Sequence, residues 1–306
     1  MTEYTTNEYD NGVKDEFGVL YSEDGLKLIE ITKDLESYRV KEGTEIICDQ
    51  AFYRCYMLKS IYMPDSVTEI GKEVFEDCFR LSDIHFSKNL TDIGVAAFRN
   101  CKNITNIQLP ESLERFGVSA FNGCSLLQSI DIPTHVMVIP AYAFEGCQSL
   151  RKCSCKRKLK RIEERAFHWC VNLEYIEFEQ QDEIYWQYPS ELKLHKVSVL
   201  SGIEHYAFEG CTSLNHLVLP NSISFIGKCA FRYCYSLQDI SFGSKLEAVN
   251  ETAFAKCSHL VHMYIPDDAK KTYEALEDFK RYYILHYQET SKTLSNEKND
   301  LFETDE

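Results

Sequence analysis

Thirteen cysteines and nine histidines in 306 residues supply enough thiol and imidazole for a metal site, a redox pair or a nucleophile with its base. Cys153 and Cys155 form a C-x-C that could offer two thiolates to a metal, but no second pair stands at a two-residue spacing to complete the set. His168 precedes Cys170 by two residues in "FHWC", the residue types of a cysteine hydrolase. Ile-Gly-Lys at 70–72 and 226–228 resembles the end of a phosphate loop but lacks its leading glycine. H-E-x-x-H and G-x-S-x-G do not occur. What the cysteines do depends on the elements that hold them.

Nine of the thirteen obey one rule. Phenylalanine stands at positions 52, 75, 98, 121, 144, 167, 208, 231 and 254, and a cysteine follows each three residues later. The steps are 23 five times, then 41, then 23 twice, so one period carries 18 extra residues. A fixed period of this length is the signature of a solenoid, in which each unit buries its apolar face only by stacking on its neighbours. Cysteines one coil apart then point into one column, and a buried thiol acts there as a small hydrophobe with a weak donor. The expectation is a reduced structural ladder, and it includes Cys170, because burial favours the neutral thiol over a nucleophilic thiolate. No catalytic residue, metal ligand or cofactor is expected, and a cysteine hydrolase stays as a remote alternative.

After Cys55 the unit runs through Leu58, Ile61, Met63, Pro64, Val67, Ile70 and Gly71 to Phe75. Apolar residues two apart, as at Ile61 and Met63, mark one face of a short strand, and the proline ends it. Gly71, Gly94, Gly117 and Gly227 fit a turn into the return segment. The unit "CKNITNIQLPESLERFGVSAF" resembles the BspA-like leucine-rich repeat, also described from treponemal surface proteins. The resemblance covers roughly residues 35 to 266. It implies protein or surface binding, often adhesion, in a family frequently secreted or surface displayed.

The expected fold is therefore a right-handed leucine-rich repeat solenoid of about ten stacked parallel strands over 35–266. Residues 1–34 form a tail and cap, with a β-hairpin turning at Asp24-Gly25 in "GVLYSEDGLKLIEI". Leu35, Tyr38 and Val40 start the first strand. At the other end Ala269, Tyr273, Leu276, Phe279, Tyr283 and Tyr287 recur at threes and fours, predicting a capping helix over 267–287. The polar stretch 288–306, with six acids against two lysines, reads as a disordered tail.

A net charge of −15 argues against a nucleic-acid-binding surface, and no apolar run reaches the ~18 residues of a membrane span. The opening "MTEYTTNEYD" has neither a basic nor an apolar segment of a secretion signal, which favours a cytoplasmic protein; the family habit points to the cell surface or exterior. "RKCSCKRKLKR" at 151–161 holds seven basic residues, which fit an import signal, an anion patch or, preferably, a solvated edge facing acidic neighbours.

A ligand face follows from the register. Outward strand positions form two rows, one from Ser60 to His262 and one containing Tyr62, His85, Gln108, Asp131 and Glu177. An ordinary solvated face fits the same pattern. The insertion at about 179–200 should leave the solenoid and return, and it brings Tyr185, Trp186 and Tyr188 together, either as a partner site or as a cover for adjacent coils. The reading is a non-enzymatic scaffold that binds a protein partner through the strand face, the insertion or both. A surface adhesin binding host or matrix components is the alternative.

Overall fold

A computed structural model describes residues 2–31, 35–156, 159–178, 202–266, 269, 274–277, 279 and 283–288. Most of the described coils carry two strands where the periodicity predicts one. The longer strand, three to five residues, bears the two-apart apolar pattern: Ser37–Arg39, Ser60–Tyr62 and Asp83–His85 in one sheet, then Ser129–Ile132, Lys152–Cys155 and Tyr175–Phe178, then His216–Val218, Asp239–Ser241, His262–Pro266 and Ile284–Gln288. All pair in parallel at a register of one coil, as in Ser60↔Asp83 and Lys152↔Tyr175. Between the first two sheets Asn106 holds only a single bridge to Ser129.

The second strand is two residues long, as in Glu69–Ile70, Asp92–Ile93 and Arg115–Phe116, and it too stacks in parallel. A segment this short shows no alternation, so its sequence reads as a bend. Its first sheet opens on Val13–Lys14, paired antiparallel with Val19–Tyr21 of the hairpin, which pairs antiparallel with Lys27–Ile31; that strand then pairs parallel with Ile46–Ile47. The glycine of the "IG" step serves close approach. A Cβ on Gly94 would lie 2.4 Å from the carbonyl carbon of Gly71, so successive coils touch backbone to backbone there.

The return segment supplies a third ladder. Phe75 N–H donates to the Ala97 carbonyl at 2.7 Å and Phe98 N–H to that of Ala120 at 2.8 Å, one coil on. These bonds hold residues two before and two after the phenylalanine, such as Glu73 (φ 56) and Asp77 (φ 62), in the left-handed region that side chains rarely adopt. The phenylalanine rings point inward and stack. Neighbouring centroids lie 5.1–5.5 Å apart from Phe52 to Phe254, including Phe167 and Phe208 on either side of the insertion. Arg161–Ile162 also pairs directly with Gly202–Ile203, so the array continues across the inserted residues. Burial of each ring stabilises by about 1.5–3 kcal/mol.

The stack is closed at both ends. Tyr38 lies 5.9 Å from Phe52, and Phe279 meets Phe254 edge-on at 5.9 Å. Ahead of the hairpin, Thr6–Asp10 forms a helix with Thr5 and Glu8 in a reciprocal capping box, an element the sequence reading lacks. The C-terminal helix expected over 267–287 needs correction. Glu274 and Ala275 are helical and Leu276 and Phe279 are buried, but Ile284–Gln288 is a strand paired with His262–Pro266. The open sheet edge offers a full row of backbone partners, and five residues pair with it in preference to extending a helix.

Candidate strand-face binding site

All nine register cysteines are buried with free thiols. Eight of them, from Cys78 to Cys257, donate to the phenylalanine carbonyl of the preceding coil at 3.0–3.3 Å. Burial pushes the Cys124 thiol up to about 12 and Cys170 well above its ordinary value. His168 does not serve Cys170: its Nδ1 lies 2.7 Å from Glu145 and its Nε2 3.4 Å from Glu209. Cys153 and Cys155 both point into the core with sulfurs 3.7 Å apart. The described residues contain no convergent group of three or more metal-ligating side chains.

The position after seven of the nine phenylalanines carries a second, polar column, which sequence reasoning missed. It reads Glu76, Arg99, Asn122, Glu145, His168, Glu209, Arg232. Arg99 Nε donates to Glu76 at 3.0 Å, Asn122 to Glu145 at 2.8 Å and Arg232 Nε to Glu209 at 2.6 Å. The hydrogen bond from His168 holds the Glu145 carboxyl below its ordinary range. Lining up the nine copies of the motif and reading the next residue would have exposed this run of polar and charged residues.

The outer strand face holds the nominated residues. Arg39 lies 3.6 Å over the Tyr62 ring, Tyr62 faces His85 at 5.8 Å, and His85 Nε2 lies 3.3 Å from Asp83. This cluster is on the first three coils. Gln108 and Asp131 flank the interruption of the sheet, where they line a groove of about 290 Å³ with Glu111 and Lys156 over Ile107 and Pro133. Glu177 stands two coils beyond Asp131 and pairs with Lys152 at 2.9 Å. Lys152 and Arg161, from the basic run, thus face acidic partners, Arg161 reaching Glu163 at 2.5 Å. Tyr185, Trp186 and Tyr188 lie outside the described residues. Asp83 comes from the Ser60-to-His262 row, and Arg39 joins the cluster without having been nominated, because only the three-dimensional register sets it against Tyr62.

In-register parallel strands, an internal aromatic stack and a 23-residue period define a leucine-rich repeat solenoid. The BspA type leucine-rich repeat region matches residues 30–136, 118–189 and 182–304 in six copies. The chain belongs to that family. Among solved structures, a leucine-rich repeat protein of T. pallidum, TpLRR, superposes with a TM-score of 0.52 at 21% identity, covering 69% of this chain and 90% of its own. One from Bacteroides ovatus gives 0.55 at 22%, covering 94% and 76%. A leucine-rich cell surface protein of Faecalibacterium prausnitzii gives 0.50 at 22%, covering 92% and 95%. No curated protein sequence matches the chain. Among the described residues no helix is long and apolar enough to cross a membrane.

Proposed function

We propose that the chain is a non-enzymatic scaffold that holds a protein partner along the outer face of the strand sheet. One observation carries this: inward strand positions repeat the same apolar types from coil to coil, while the outward positions between them vary freely on a rigid frame. Arg39, Tyr62, His85, Asp131, Lys152 and Glu177 offer cation, aromatic, imidazole and carboxylate within a few ~4.8 Å strand spacings. Aromatic and arginine side chains of this kind dominate binding hot spots. The groove at Gln108 and Asp131 would take a polar side chain of the partner, and Tyr185, Trp186 and Tyr188 of the insertion would add a second contact.

The test is capture from the source cell's extract on the intact chain and on a Tyr62→Ala/Asp131→Ala double variant. The scaffold reading expects a partner held by the parent and released by the variant, with the thermal transition unmoved. Equal capture by both would refute the strand face as the site. A surface-adhesive role is the second reading, favoured by the likeness to the cell surface protein of F. prausnitzii. Detection of the native chain on the cell exterior would support it, and recovery only from the cell interior would oppose it.

A further inference from the structure

The last two strands carry a pair of imidazoles that core packing does not require. His262 on strand His262–Pro266 and His286 on strand Ile284–Gln288 both point to the outer face, and His286 Nε2 lies 2.9 Å from His262 Nδ1. Tyr264 stacks on the His286 ring at 4.8 Å with 20° between planes and reaches the His262 ring at 6.3 Å, so neighbouring packing sets both ring orientations. Rings held this way meet the main requirement of a chelating pair, which is that the ligands are oriented before the ion arrives.

The separation admits one ion between the rings. With metal–nitrogen bonds of ~2.0–2.1 Å, two ligating nitrogens stand about 2.9 Å apart at a right angle and about 3.4 Å apart at a tetrahedral angle. The observed 2.9 Å is a hydrogen bond that the rings give up on ligation, and it is close enough to both values for a small rotation to turn the two nitrogens onto one ion. Two imidazoles with water completing the set make the tetragonal N,O set of Cu(II) or Ni(II), whereas Zn(II) sites take three or four protein ligands. We propose that His262 Nδ1 and His286 Nε2 form a bidentate site for a transition-metal dication of the Cu(II)/Ni(II) class. Each ring keeps its proton on the other nitrogen, so the proton now shared between them moves within a ring and none need be lost. No third ligating side chain converges among the described residues, and water completes the coordination on this open face. Asp239, in register beside His262 and hydrogen-bonded to His216 at 2.7 Å, adds negative charge near the ion. The ion clamps the closing strand to the array.

Ni2+ is the probe, since it does not oxidise the buried thiols. Titration calorimetry of the untagged full chain should show one Ni2+ bound per chain, more tightly than Zn2+, and hydrogen exchange at 284–288 should slow. Removing either ligand should weaken binding at least as much as loss of an outer-shell partner does, about 10–100-fold. His262→Ala and His286→Ala are the direct variants; His286→Phe keeps a ring against Tyr264 and guards against simple unfolding of the strand. His135→Ala, exposed and several coils away, should bind as the parent does. No Ni2+ binding, parental affinity in His286→Phe, or a preference for Zn2+ would overturn the proposal.

Discussion

The interior Phe/Cys column and the outer strand face are built on the same coils and obey opposite rules. In the column, matching positions of successive coils hold the same residue: eight consecutive ring contacts and eight thiol-to-carbonyl bonds are copies of one another. On the outer face, Tyr62, His85, Gln108, Asp131 and Ser154 follow one another with no common chemistry. The difference has a physical cause. Inside, each side chain must fit the coil above and the coil below at close-packed density, so one solution propagates. Outside, a side chain meets water on one side, and exchanges there cost little. The column after phenylalanine is intermediate: it sets Arg99 against Glu76, Asn122 and His168 against Glu145, and His168 and Arg232 against Glu209, because half-buried groups need a partner of opposite character in a neighbouring coil.

Alkali should break the comparison most forcefully. Burial raises nine thiols: Cys48, Cys78, Cys101, Cys124, Cys147, Cys153, Cys170, Cys211 and Cys234. For Cys124 the value goes from 9.0 to about 12. The unfolded thiol therefore ionises first, and its contribution is complete below pH 9 and lost as pH rises toward 12. The slope is roughly 1.4 kcal/mol per thiol per pH unit within that window, so nine thiols should unfold the array within one to two units above 9. Circular dichroism against pH checks this; a signal flat to pH 11 would contradict a buried column.

Phe121→Ala, in the middle of the stack, should cost about 3–5 kcal/mol in denaturant unfolding, because the rings on both sides lose a neighbour. Glu209→Ala should cost less, about 1–3 kcal/mol. It strips Arg232 and His168 of an acceptor that is 6% exposed, but Arg232 itself is 35% exposed and regains water. Tyr62→Ala and Asp131→Ala should lie within about 0.5 kcal/mol of the parent. A strand-face substitution that destabilises as much as Phe121→Ala would erase the distinction between the two regions.

The same contrast sets what the sequence discloses. Phe52 to Phe254 and Cys55 to Cys257 announce the period because packing repeats them, and Asp24-Gly25 announces its hairpin through turn chemistry. The outward rows follow by counting from Ile61 and Met63, and the structure pairs Tyr62 with His85 and Asp131 with Ser154 as that count requires. The second sheet stayed hidden because Glu69–Ile70 offers one buried residue per coil, too little for a pattern. Leu276, Phe279 and Tyr283 have helical spacing, yet the free edge beside His262–Pro266 captured the residues that follow, a choice made by tertiary pairing and not by local preference. Arg39 over Tyr62 and His286 against His262 are contacts between coils, visible only once register is known.

Thiol labelling tests the central claim most directly. Iodoacetamide at pH 8 should modify none of the thirteen cysteines of the native chain at an appreciable rate, and all thirteen once denaturant is added without reductant. Fast modification of any column cysteine in the native protein, or fewer than thirteen free thiols after denaturation, would contradict a reduced, buried ladder locked to the phenylalanine stack.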